Sequence, residues 1–83
     1  MNEAPSYAVK RRLAKFFAEN LKSNEAVEAY VEDVAHYFRL WPQSVVKAVA
    51  RSSDRREIEQ IALQSGFRII VAYRPGIIYA YLK

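Results

Sequence analysis

The 83-residue chain has no cysteine. Disulfides and thiolate metal sites are therefore excluded. A single histidine, His36, leaves any metal site to be completed by carboxylates, which is too thin a ligand set. Two glycines are too few for a phosphate-cradling loop, and no nucleophile elbow or paired-histidine zinc spacing occurs. No apolar run approaches the roughly 20 residues needed to span a bilayer. The opening MNEAPS carries an acid and no apolar core, so it is not read as a signal peptide. These absences lead to an expectation of no enzyme activity, no cofactor, no metal and no membrane contact, in a cytoplasmic setting.

What is present is apolar and basic. Hydrophobic residues make up 52% of the chain and aromatics 13%, which is too apolar for a disordered segment. The length suits one small domain, 1–83. The formal net charge is +4, unevenly placed: +3 over residues 1–24, −4 over 25–38 and +5 over 39–83. An acidic stretch flanked by two basic ones can present a cationic face to a polyanion.

Hydrophobic spacing predicts four helices. Val9, Leu13, Phe16, Phe17 and Leu21 share one helical face over 7–22. Val27, Tyr30, Val31, Val34, Ala35 and Phe38 form a stripe over 25–38. Pro42 suits the first turn of a third helix over 42–52. Asp54 and Glu57 have capping-box spacing for a fourth over 54–65, which Gly66 closes. The period then changes. FRIIVAYRPGIIYAYLK, 67–83, is β-branched and aromatic around Arg74-Pro75-Gly76-Ile77, whose Pro-Gly pair marks a type II turn. Pairing Arg74 with Ile77 puts Tyr73 opposite Ile78, Val71 opposite Ala80 and Ile69 opposite Leu82 on one apolar face. The expected class is mainly α with a C-terminal β-hairpin.

The stretch VAHYFRLWPQSVVKAVARS, within 33–52, has the layout of a helix-turn-helix. Ala35 is small where a second helix would cross. Leu40 is an apolar residue in the turn, and Val45, Ala48 and Val49 face inward. The segment resembles the helix-turn-helix superfamily, and with the following hairpin it looks like a winged-helix member. The motif spans about 20 residues, and about half the chain once the hairpin is counted. The resemblance implies a recognition surface of Gln43, Ser44, Val46, Lys47 and Arg51, a wing-tip phosphate contact at Arg74, and double-stranded DNA as partner. Lys10, Arg11 and Arg12 are the expected backbone contacts from the first helix. The chain departs from the pattern twice. Arg39 stands where glycine usually supplies a left-handed backbone, and residues 54–65 add a helix before the hairpin. Another register would make residues 58–65 the recognition helix and expose Arg55, Arg56, Glu59 and Gln60.

Other features have plainer readings. His36 is expected to be an exposed helix residue. Glu25, Glu28 and Glu32 would share a helical face turned to solvent or to a protein. Trp41 is expected to pack between helices. Tyr79 and Tyr81 lie on the second hairpin face and are candidates for a homodimer or partner surface. The last strand would leave an edge free to pair. The functional expectation is a small DNA-binding transcriptional regulator. The alternative is a protein-interaction module, such as a phage-type inhibitor of a host enzyme. A third reading, single-stranded nucleic acid on the tyrosine face, is limited by the small area of a two-stranded platform.

Overall fold

A computed structural model describes residues 6–83; of the MNEAPS stretch only Ser6 lies inside this range. Its elements run α1 (Ser6–Leu21), β1 (Ala26–Tyr30), α2 (Val31–Phe38), α3 (Pro42–Val49), α4 (Ser52–Gln64), β2 (Ile69–Arg74) and β3 (Ile77–Leu82). The strands form one antiparallel sheet in the order β1-β3-β2. The chain is thus mainly helical with a C-terminal hairpin, plus one strand that the helical stripe concealed.

That strand corrects the helix expected over 25–38. Residues 26–30 pair with β3, Val27 opposite Ala80 and Ala29 opposite Ile78. The physical reason lies in the overlap of two periods. Val27 and Ala29 alternate toward the core as a strand requires, while Val31, Val34 and Ala35 begin a helical stripe. Tyr30 is the joint between them, with extended angles (φ −75°, ψ 134°) at the N-cap of α2. The Val31 amide donates to the Gly76 carbonyl at 2.9 Å and ties this joint to the hairpin turn. The edge of β3 expected to stay free is therefore occupied, and β3 is the central strand. The acidic trio no longer shares a helix. Glu25 precedes β1, Glu28 lies on it, and only Glu32 is helical.

The hairpin register matches expectation at every pair, from Arg74 opposite Ile77 to Ile69 opposite Leu82. Gly76 has φ +87°, as the second central residue of a type II turn needs. Ile69, Val71, Ile78 and Ala80 are buried beneath the helices, while Leu82 at the strand end is exposed. The core also takes Val9, Leu13 and Phe17 of α1, Val34 and Ala35 of α2, Val45, Ala48 and Val49 of α3, and Ile58 and Ala62 of α4. Helix α1 packs on α3 and α4, and α4 packs on β2.

The start of α4 also differs from expectation. Asp54 and Glu57 do not form a capping box, because the helix begins two residues earlier with Arg51 at its N-cap. Asp54, at the third helical position, turns inward. Its Oδ1 accepts from Lys10 Nζ at 2.8 Å and its Oδ2 from Arg51 Nε at 2.9 Å. Lys10 also reaches Glu57 Oε2 at 3.1 Å. Two distant parts of the sequence are clamped together here, α1 to the first turn of α4.

Candidate nucleic-acid interface

Helix α2 ends in a Schellman turn. The Arg39 amide donates to the His36 carbonyl at 3.1 Å and the Leu40 amide to the Ala35 carbonyl at 2.8 Å. This geometry requires a left-handed residue at Arg39, which has φ 56° and ψ 47°. The backbone expected at the turn is therefore present, carried by an arginine. Trp41 then supplies the extended N-cap of α3, and Pro42 sits in its first turn. Ala35 is buried where α2 and α3 meet, and Leu40 is half-buried in the turn.

Helix α3 divides cleanly. Val45, Ala48 and Val49 have no exposed surface. Gln43 and Lys47 are exposed one turn apart, Val46 is half-buried beside them, and Arg51 is exposed just past the helix end. Ser44 departs from its expected role as a contact residue. It is buried at 4% exposure, because its position continues the inward stripe toward Ala48.

The first-helix cations separate into two groups. Lys10 is not a surface cation, since the ion pair with Asp54 removes it from any partner. Arg11 and Arg12 remain exposed. Arg12 Nη1 lies 3.5 Å from the Phe38 carbonyl, at the negative end of α2, which places this cation beside the turn. Arg74 is exposed at the hairpin end. Its guanidinium lies 5.7 Å from the centroid of the Tyr79 ring, so it rests on the outer face of the sheet.

The alternative register, with α4 as recognition helix, has two of its four polar residues engaged elsewhere. Arg55 Nη1 donates to the carbonyls of Val49 and Ala50 at 2.7 and 2.9 Å, closing the C-terminus of α3. Glu59 Oε2 accepts from the Val71 amide at 2.8 Å and holds β2 against α4.

Trp41 is 53% exposed and Tyr37 71% exposed, which corrects the expectation that Trp41 packs inside. Between α2 and α1, Phe16 and Phe38 fill the space, with ring centroids 6.0 Å apart and nearly perpendicular. Trp41 lies past the turn on the outer side. His36 is exposed, as expected of a helix-surface residue. Among the described residues no group of three metal-ligating side chains comes together, and no helix is long and apolar enough to cross a membrane. No protein-family model, curated protein or solved structure matches the chain.

Proposed function

We propose that the chain is a small duplex-DNA-binding regulator that places α3 in the major groove. The observation that carries this reading is the two-sided character of α3. Its inner stripe is wholly buried, its outer stripe presents Gln43 and Lys47, and a fixed turn sets it against α2. An eight-residue helix is about 12 Å long, enough to seat two turns in a groove about 12 Å wide. Gln43 is suited to adenine in a bidentate contact. Lys47, Arg51, Arg11 and Arg12 supply cations for phosphates. Double-stranded DNA is the partner, no cofactor is required, and the setting is cytoplasmic.

The test is fluorescence anisotropy with labelled duplex DNA. Lys47→Ala and Gln43→Ala should each weaken binding, and Gln43→Ala should leave the thermal melt within about 0.5 kcal/mol of the parent. Arg51→Ala is a less clean probe, because Arg51 also holds Asp54. Parent-like binding by both α3 variants would remove α3 from the interface.

One observation favours a second reading, a protein-interaction module. Tyr37 and Trp41 expose large aromatic surfaces beside the turn, and such residues anchor protein interfaces. In that case duplex DNA would fail to bind even at low salt, and Trp41→Ala would abolish capture of the partner.

A further inference from the structure

The outer face of the sheet, opposite the helices, is a grid. Read across β1, β3 and β2, three rows are Ala26, Tyr81, Ile70; then Glu28, Tyr79, Ala72; then Tyr30, Ile77, Arg74. The Lys83 amide donates to the Arg68 carbonyl at 2.9 Å. That bond carries the pairing one step further and adds Lys83 and Arg68 as a row beyond Tyr81 and Ile70. The face therefore holds three cations, Arg68, Arg74 and Lys83, against one acid, Glu28. None of the three cations forms an ion pair with any described residue. Between them lie Tyr79 and Tyr81, whose rings are parallel within 5° with centroids 6.4 Å apart. Tyr30, Ile70 and Tyr81 are exposed, and Tyr79 is partly so.

We propose that this face binds single-stranded nucleic acid, with bases on Tyr79 and Tyr81 and phosphates on Arg68, Arg74 and Lys83. Aromatic platforms flanked by cations hold single strands in this way. The spacing fits. Along one strand of a duplex the charges recur every 3.4 Å or so, and a strand drawn out until its bases part is about twice that. The 6.4 Å between the rings then gives each tyrosine its own base. From Arg68 to Arg74 the sheet runs about 20 Å, room for three to four drawn-out nucleotides. That is the lower end of the site sizes of single-strand-binding β domains, about 4 nucleotides. The charge pattern also sets the side on which the backbone lies. Glu28 on β1 repels phosphate, whereas Arg68 and Arg74 line the β2 edge. The Arg74 guanidinium, 5.7 Å from the Tyr79 ring centroid, is within reach of the phosphate beside a base on that ring. Strand β1 matters here because it widens the platform that the hairpin alone would offer. A duplex keeps its base faces inside its own stack and cannot use the tyrosines. An acidic partner without flat rings would satisfy the cations and leave the tyrosines in water.

The experiment is fluorescence anisotropy of the full chain with labelled oligo-dT of about eight nucleotides, enough to cover the site. An abasic strand of equal length carries the same phosphates and should bind at least about tenfold more weakly, because stacking is lost. This comparison needs no variant. Tyr81→Leu should weaken oligo-dT binding by about tenfold, and Tyr81→Phe, which keeps the ring, should stay within about threefold of the parent. Three phosphate contacts give a slope of about −2 for log affinity against log salt, and Arg68→Gln should reduce its magnitude by about 0.7. Tyr81 and Arg68 are exposed, and circular dichroism checks the fold of each variant. No binding of oligo-dT at low salt overturns the proposal. Equal affinity for the abasic strand also overturns it and reduces the face to a general anion patch. Binding of phosphatidylserine vesicles without binding of oligo-dT would make the occupant a lipid surface and overturn it too. Tyr81→Leu should leave duplex affinity unchanged, whereas the α3 variants are read on duplex, so this reading and the duplex reading fail separately.

Discussion

At the residue scale, the most consequential side chain is Lys10. Its side chain is 7% exposed and that of Asp54 is 8%, so each shields the other from water. The hydrogen bond to Asp54 raises the Lys10 pKa above 10.5, against an opposing effect of burial. The hydrogen bond from Lys10, and next that from Arg51, holds the Asp54 carboxyl below 3.8. A carboxyl with a lowered folded pKa stabilises the fold above its unfolded value and loses that contribution as pH falls through the folded value. A lysine with a raised pKa stabilises below 10.5 and loses its contribution as pH rises through the folded value. The pair therefore contributes fully between about pH 4 and 10. Lys10→Met leaves a buried carboxylate with Arg51 alone and should cost about 3 kcal/mol at neutral pH. Thermal melts should show the gap to the parent narrowing below pH 4 as Asp54 protonates. A gap unchanged from pH 7 to pH 2 would contradict this account of the clamp.

Arg39 makes a second residue-scale case. A non-glycine residue in the left-handed region carries strain of about 1 kcal/mol. Arg39→Gly should therefore raise the melting temperature by a few degrees. Gly66, at φ +88° in the matching turn after α4, should lose a similar amount as Gly66→Ala. If both substitutions shift the melt in the same direction, the turn geometry is not what sets their energetics.

At the element scale, α3 and β1 differ in how far local pattern reveals them. The buried stripe of α3 is unambiguous because Val45, Ala48 and Val49 follow the helical period and Pro42 marks the start. The hairpin was equally legible, since Pro75-Gly76 fixes its turn and the turn fixes the register of every pair. Strand β1 was hidden because Val27, Tyr30 and Val31 satisfy a helical stripe by coincidence. Only its pairing with β3 distinguishes the two, and that is a long-range fact. The same limit applies to Lys10 and Ser44. Charge and polarity suggested surface roles, but a partner 44 residues away buries Lys10, and the path of α3 buries Ser44. Asp54 gave a signal that pointed to a cap and was used instead as a clamp. For α3 itself, Lys47→Ala should lower the salt slope of DNA binding by about one unit while weakening all sequences alike. Gln43→Ala should instead reduce preference at one base position, by about 1–3 kcal/mol. Equal effects of the two on every sequence would remove Gln43 from base readout.

At the scale of the whole molecule, the helices and the sheet present different surfaces. The α2–turn–α3 side carries Arg39, Lys47 and Arg51, with Arg12 nearby, and is proposed to meet a polyanion. The outer sheet is aromatic and basic, with Tyr79 and Tyr81 between Arg68, Arg74 and Lys83 and with Glu28 as its one acid among the strand residues.

The central claim is that α3 and its flanking cations bind duplex DNA. It is tested most directly by measuring affinity for random-sequence duplex at about 50 and 200 mM salt, for the parent and for Lys47→Ala. With four cations on phosphates the parent should lose about 100-fold in affinity between the two conditions, and the variant should lose less. No binding at the lower salt, or a salt slope that Lys47→Ala leaves unchanged, would contradict it.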